Sequence, residues 1–557
     1  MMKEKKSSFR RHRRLSVAII TLLISITVIY FVIQSYNSAK IAARYPLATK
    51  NLDPTSPTYV ENVVLQEGNN QPQTKIQPKK SEELEDNHIG IDTGPFTTDA
   101  GMLERLRDSG VKWVRVGFVS PDPLCWQWVL RSLGVYEIDQ KADDFVTGLS
   151  DNGINVVLML GVGCTGLSER VPWNPQGQGW GALGDSEPEW WFKTQEDLDN
   201  YIDFVKFMAE HFKGRVKYYE IWNEPNCGKY EADIRGGITL EDYRKVLKQV
   251  AVVIKEEDPQ AKIVAGAVGS FEVDGIAWLK GMLEDGVAPL VDYISWHPFY
   301  GESPYSDELF ANSDERFGHT SWRDYAFNVD NLKKEVGSLG FRGGYMAEEM
   351  IWNTPTDYVA NQLLCTDFEA AKYAARAIIM NLQLNITMAD NQIRGPYDPI
   401  SLLPRQYVIR TLCTTMAGAT PSVLALQLSS NAENLKNATF VLPNGDLLVA
   451  LWNDIIAADS SVGKRTNVTV KGFAAQSVTG IDTLNGFTQP LNAEFVGENT
   501  AIDDLLVGDY PMIIKLSVAK KSTSETSNSA SEVPLWIIPI VALVIVLVVV
   551  ILSKKKK

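Results

Sequence analysis

Two segments bearing glutamate hold the side chains with which this chain can do chemistry. In Val216-Lys217-Tyr218-Tyr219-Glu220-Ile221-Trp222-Asn223-Glu224-Pro225 an apolar, aromatic run ends abruptly in Asn-Glu-Pro. The run reads as a buried strand that the proline stops just after Glu224. In Gly343-Gly344-Tyr345-Met346-Ala347-Glu348-Glu349-Met350-Ile351-Trp352 a second apolar run meets two acids near its end. Between them, Val291-Asp292-Tyr293-Ile294-Ser295-Trp296-His297-Pro298-Phe299-Tyr300 closes on His297 and Tyr300. Cleavage of a glycosidic bond with retention needs one carboxyl to protonate the leaving oxygen. It needs a second, about 5–5.5 Å away, to attack the anomeric carbon. Glu224 suits the first role. Asn223, His297 and Tyr300 are residue types that bind ring hydroxyls and orient a nucleophile. A lone Asn-Glu-Pro would read as an ordinary loop; the second carboxylate strand makes it a site.

These strand ends need a scaffold that brings them to one face. From Asn87 onward the pattern alternates strand and helix. Strands are expected at His88–Ile91, Val111–Phe118, Ile154–Leu160, the Glu224 run, Lys262–Ala267, the His297 run, the Glu349 run and Asn385–Asp390. Helices are expected at Asp99–Ser109, Gln195–His211, Leu240–Glu257 and Thr366–Leu382. Eight strands with interleaved helices over 87–400 imply an α/β fold, a (β/α)8 TIM barrel, whose site is built at the C-terminal strand ends. The long loop Thr165–Glu189, with Trp173 and Trp180 inside it and Trp190 and Trp191 just after it, falls on that face. Its indoles either stack on sugar or pack the loop down.

Beyond residue 400 the texture changes to short strands: Thr439–Leu442, Asp446–Trp452, Thr466–Val470 and Met512–Leu516. Pro443-Asn444-Gly445-Asp446 is a hairpin turn signal. This implies a small β-sandwich domain over 401–518, followed by a Ser/Thr-rich linker over 519–532. Residues 37–86, rich in Pro, Asn, Gln, Lys and Glu, read as a stalk with little structure.

Both ends carry membrane signals. Residues 1–14 hold seven Lys/Arg against one Glu, and no charge occurs from Leu15 to Ala39. The span 15–36 reads as an uncleaved anchor, with a cleaved leader as the alternative. Val533–Leu552 is a second apolar run, ahead of a basic tail over 553–557. The positive-inside rule keeps both basic ends cytoplasmic and puts the body outside the cell membrane. Removing +6 and +4 at the ends from the net −14 leaves −24 on the body, which argues against a nucleic-acid partner. The five cysteines are Cys125, Cys164, Cys227, Cys365 and Cys413. Their spacing fits no metal set. Cys164 and Cys227 each follow a predicted strand, where a bridge and free thiols are equally open readings. Glycosylation sequons stand at Asn385, Asn437 and Asn467.

Around Tyr219–Asn226 the chain resembles the clan A glycoside hydrolases. The likeness extends through Asp258–Gly266, Ser295–Tyr300 and Ala347–Trp352. It is similar above all to the β-xylosidase and α-L-iduronidase family (family 39), then to the cellulase/mannanase family (family 5). The resemblance implies a retaining glycosidase acting on polysaccharide or oligosaccharide, with no cofactor. It implies that Glu224 is the acid/base, that Asn223 binds the 2-hydroxyl and that Arg115 supports the nucleophile. His297, Tyr300 and Trp352 are implied site residues. The family ending Glu-x-Gly-Trp maps onto Glu349-Met350-Ile351-Trp352 and selects Glu349 as nucleophile, with Glu348 as the alternative. Strand alternation agrees if Met346, Glu348 and Met350 pack against outer helices. The eighth strand lacks the Trp that many members use as a sugar platform, which leaves the sugar unassigned. Two other readings stay open, an envelope-remodelling transglycosidase and a non-catalytic carbohydrate-binding surface protein. Glu220 is a minor site candidate. Asp92 reads as a turn residue, and His88 and His211 as structural.

Overall fold

The computed structural model describes residues 64–93, 101–117, 122–132, 134–161, 195–226, 239–269, 271, 273–298, 325–350, 367–392, 403–455, 457–458 and 461–518. Both apolar end segments, their basic flanks, the 519–532 linker, the Thr165–Glu189 loop, Trp190, Trp191, Tyr300, Trp352, Cys164, Cys227 and Cys365 lie outside them. Among the described residues no helix is long and apolar enough to cross a membrane.

Eight strands close a barrel: β1 Ile89–Asp92, β2 Trp113–Val116, β3 Asn155–Leu160, β4 Tyr218–Ile221, β5 Lys262–Val268, β6 Tyr293–Trp296, β7 Gly344–Met350 and β8 Met388–Gln392. Each pairs in parallel with its sequence neighbour, and β8 pairs with β1. The strands are rich in apolar residues because the lumen covers one face and helices the other. Each strand is followed by a helix: α1 Met102–Ser109, α2 Gln140–Asp151, α3 Gln195–His211, α4 Leu240–Glu257, α5 Val273–Met282, α6 Tyr325–Ser338, α7 Asp367–Gln383 and α8 Leu403–Met416. Local chemistry fixes their ends. Asp139 caps α2 by accepting from the Lys141 and Ala142 amides, and Thr239 caps α4 by accepting from the Asp242 amide. Gly110, at φ 81, stops α1 in the left-handed region that a side chain disfavours.

The lumen is filled in layers. The lower one holds Trp113, Val157, Tyr218, Val264, Met346 and Met388, with Tyr293 at its edge. Above it, Asp92, Arg115, Glu220, Ser295 and Glu348 form a buried polar layer, with Met159 packed among them.

After α8 the chain builds two antiparallel sheets. One contains Leu435–Val441, Leu447–Asn453, Ser477–Asp482, Phe487–Pro490 and Met512–Ser517; the other contains Leu426–Ser430, Lys464–Val470, Glu494–Val496 and Asn499–Val507. Val449, Leu451, Val468, Ile502, Leu505 and Ile514 belong to one apolar core between them. The Pro443–Asp446 turn joins the first two strands, with Gly445 at φ 87.

Two boundaries differ from the sequence reading. Leu403–Met416 is a helix packed beside α7 and α1, so the barrel runs past residue 400. The expected unstructured stalk is ordered from residue 64. Leu65 is buried, Glu67 N–H donates to Asp504 O at 2.9 Å, and Gln66 Nε2 donates to Asn492 O at 2.8 Å. Thr74–Lys75 then pairs with Phe487 and Thr488. Lys79 N–H donates to Thr414 Oγ1 of α8 at 3.0 Å, and Ser81 Oγ to Leu106 O of α1 at 3.4 Å. The polar composition hid this strap because its side chains and amides satisfy exposed strand edges and helix ends.

A buried ionic seam joins α7 to the two sheets. Lys372 Nζ lies 2.9 Å from Asp509 Oδ1 and also donates to Ala458 O. Arg376 donates from Nε to Asp509 O and from Nη1 to Ile455 O, both at 2.7 Å, and lies 3.3 Å from Asp454 Oδ1. Burial pushes the Asp454 carboxyl up to about 6, against the opposing pull of Arg376.

Candidate active site

Arg115 organises the polar layer of the lumen from β2. Its guanidinium is buried and forks three ways. Nε donates to Glu220 Oε2 at 2.7 Å, Nη1 to Asp92 Oδ2 at 2.7 Å, and Nη2 to Asn223 Oδ1 at 2.8 Å. Met159 Sδ packs 3.1 Å from Nη2, and Glu348 Oε2 lies 3.8 Å from Nε. A planar donor set of this kind fixes several oxygens at once, which a lysine could not do. Ser295 Oγ completes the layer from β6, donating to Glu220 Oε1 at 2.8 Å.

Asp92, Glu220 and Glu348 are all buried around this one guanidinium. Burial raises the Glu220 carboxyl, but the charge of Arg115 and hydrogen bonds from Glu348, Ser295 and Arg115 outweigh it and hold Glu220 below the usual glutamate range.

Above this layer the backbone departs from regular strand. Trp222 has φ 70 and Glu224 φ 46, and across on β5 Ala267 has φ 41. These are three of the six left-handed residues other than glycine among the described residues. Each costs roughly 1–3 kcal/mol, and such strain clusters where a site demands it. The β5–β6 register slips between Ala265 and Val268, and Gly266 sits at φ +117. A Cβ at Gly266 would stand 2.6 Å from Ser295 O, so only glycine fits the bulge. Glu224 N–H donates to Ala267 O at 2.9 Å, tying the β4 exit to this bulge. Asn226 Oδ1 accepts from Gly269 N–H at 2.8 Å and ties the next turn. Trp222 itself is buried, edge-on to Tyr201 with ring centroids 5.8 Å apart, so this indole holds the strand end down.

Glu224 emerges from the layer with 28% of its side chain exposed. Its Oε1 lies 2.9 Å from His297 Nδ1, and the His297 ring is fully buried. A carboxyl so placed reaches solvent and a ligand while a neighbour fixes its rotamer, as an acid/base requires.

Sequence reasoning located Glu224, Asn223, Arg115 and His297, and the structure brings these four together. Asp92 is corrected: it is a buried partner of Arg115 rather than a turn residue. The alternation expected on β7 is also reversed. Met346 faces the lumen with Trp113 and Tyr218, Glu348 follows it inward to Arg115, and Tyr345 packs outward against Phe341 and Trp296. The reason is packing: a barrel lumen is a solid core, and two methionines fill the irregular space of its lower layer. The register of β7 then slips, with Ala347 opposite Ala389 but Met350 opposite Asn391. Two residues of β7, Glu348 and Glu349, thus oppose one of β8, as in a β-bulge. The side chain of Glu349 lies outside the described ones, as do Tyr300 and Trp352. Ser295 went unnoticed, although a small polar residue in an apolar strand, two before His297, was a usable signal.

Among the described residues no cluster of His, Cys, Asp and Glu is disposed to hold a metal ion. His88 and His211 have partners remote from the site, Thr387 O and Asp143.

No family model matches the sequence. The chain is similar to endo-1,4-beta-xylanase B of Thermotoga neapolitana, with 27% identity over 177 residues, or 30% of this chain. The match spans 48% of that relative, about half its length. Among solved structures it resembles a family 39 glycoside hydrolase from the gut symbiont Bacteroides cellulosilyticus WH2, with TM-score 0.55 and 16% identity over 79% of this chain and 82% of that one. It also resembles CelM2, a bifunctional glucanase-xylanase from a metagenome library, with TM-score 0.50 and 14% identity over 81% of this chain and 98% of that one. At these identities the likeness is one of fold, and the fold is that of the glycoside hydrolases which the strand-end motifs resemble.

Proposed function

We propose that this chain is a retaining glycosidase that hydrolyses O-glycosidic bonds of a polysaccharide by double displacement. Glu224 is the acid/base and Glu349 the nucleophile. One observation carries the reading: a partly exposed Glu224 stands on a strained strand exit, oriented by His297 and seated over the buried Arg115 network. Asn223, fixed by Arg115, is placed beside it to bind a sugar hydroxyl. Glu349 is preferred over Glu348 because Glu348 is buried beside Arg115 in the lumen layer, and the Glu-x-x-Trp ending selects Glu349. In the first step Glu224 gives its proton to the leaving oxygen as the nucleophile bonds the anomeric carbon. In the second it takes a proton from water as that bond breaks.

The relatives' names make xylan and glucan the first substrates to try. Glu224→Gln should lower turnover of unactivated glycosides by about 10²–10⁴-fold, spare a dinitrophenyl glycoside and be rescued by azide. Wild-type turnover of an unactivated substrate by that variant would sink the assignment. We further place the body outside the cell, held by the uncharged runs 15–36 and 533–552 with their basic flanks inward. Protease added to intact cells should digest the body and leave terminal tags; a protected body would refute this topology.

A further inference from the structure

We infer that Ser295 is a positioning residue for Glu224 and acts through the bulge of β5; this rests on the reading of Glu224 as the acid/base. Ser295 is fully buried and has one hydroxyl proton, which it gives to Glu220 Oε1 at 2.8 Å. Ser295 Oγ in turn accepts the Ala267 N–H at 2.9 Å. Ala267 is the left-handed residue of the bulge, at φ 41, and its carbonyl accepts the Glu224 N–H at 2.9 Å. A continuous path therefore runs from Arg115 through Glu220, the Ser295 hydroxyl and the Ala267 backbone to the Glu224 amide. His297 belongs to the same assembly, since its own N–H donates to Val268 O, one residue beyond the bulge, at 2.9 Å.

The Ala267 backbone is held in a conformation that an L side chain resists, and a conformation of that kind persists only where its surroundings over-determine it. Here the constraint is the Ser295 oxygen. Without it the Ala267 N–H loses its acceptor in a site closed to water. The bulge then relaxes, and both the acceptor of the Glu224 amide and the strand that seats His297 move. The ionised state of Glu220 matters in the same way, because a carboxylate at Oε1 compels the hydroxyl to donate downward and leaves its lone pairs for Ala267. A displacement near 1 Å at a reacting group costs on the order of 10²-fold in rate. It should fall on the proton transfer alone.

The test compares Ser295→Ala, Ser295→Thr, Glu224→Gln and the double variant S295A/E224Q in the full-length protein. Each is assayed on a phenyl and a 2,4-dinitrophenyl glycoside of the sugar that the wild type accepts, with thermal unfolding as a control. Ser295→Ala should lose about 10²-fold in kcat/KM on the phenyl glycoside and stay near wild type on the dinitrophenyl glycoside, which departs without protonation. Ser295→Thr should recover most of the loss, and the double variant should be no slower than Glu224→Gln. Should Ser295→Ala fail to fold, Ser295→Cys, a weaker donor and acceptor at the same place, is read instead. Equal losses on both substrates, no loss in a folded variant, or no recovery with threonine would each overturn the inference. Absence of leaving-group dependence in Glu224→Gln would show that the reading of Glu224 has failed and takes this inference with it.

Discussion

The barrel lumen and the seam between α7 and the two sheets both bury an arginine among carboxylates. In the seam, Lys372 and Arg376 face Asp454 and Asp509, and most of their hydrogen bonds go to the carbonyls of Asp509, Ile455 and Ala458. The charges balance, and the cations serve to close the joint. In the lumen, among the described residues, one cation, Arg115, faces Asp92, Glu220 and Glu348. Carboxyls outnumber the cation there, and the network supports a distorted strand exit bearing the partly exposed Glu224. Buried charge by itself marks neither a site nor a joint. Unbalanced charge at the C-terminal ends of barrel strands, beneath strained backbone, separates the two.

The sharpest way to break this comparison is to remove each arginine. Arg115→Met leaves carboxylates buried without their cation and should destabilise by about 3–5 kcal/mol, with activity lost even in the folded fraction. Arg376→Met should cost a similar amount of stability yet leave kcat per folded molecule unchanged. Urea unfolding, with turnover normalised to folded protein, reads both. A seam variant with depressed kcat, or a fully active Arg115→Met, would erase the distinction.

The regions also differ in their response to pH. Asp454 titrates at about 6 in the folded protein against an ordinary 3.8. Its folded state holds the proton more tightly, so this contribution is complete below about pH 4 and is lost as pH rises through 6. Glu220 is held below the ordinary 4.5, so its contribution is present above that value and is lost as pH falls through its depressed folded value. Asp454→Asn should therefore abolish a fall in stability between pH 4 and 6.5 of the order of 2–3 kcal/mol, leaving the acid-side loss intact. An unchanged pH profile in that variant would show the seam carboxylate to be ionised throughout.

Much of the barrel was legible because apolar and aromatic runs mark strands wherever both faces are covered. Gln195–His211 and Leu240–Glu257 appear as helices with the expected ends. Leu403–Met416 did not announce itself, since β-branched residues such as Val408, Ile409, Thr411, Thr414 and Thr415 weaken its helical signal. The strap from residue 64 was illegible for another reason: its order comes from edges supplied by residues more than 400 positions away, such as Asp503 and Asn492. In the site, Glu224, Asn223 and His297 could be read because their side chains have few bland uses at a strand end, and Arg115 came through the family resemblance. Ser295 and Asp92 could not, because their roles exist only through the β5 bulge and the Arg115 fork. The facing of β7 was misjudged since methionine suits a barrel lumen as well as a helix contact.

The central claim is a covalent intermediate on the strand opposite an acid/base at Glu224. Its most direct test is inactivation with a 2-deoxy-2-fluoroglycoside of the accepted sugar, followed by mass-spectrometric mapping of the labelled peptide. The account predicts a single glycosyl adduct on Glu349. An adduct on Glu348, or turnover with no adduct formed, would contradict it.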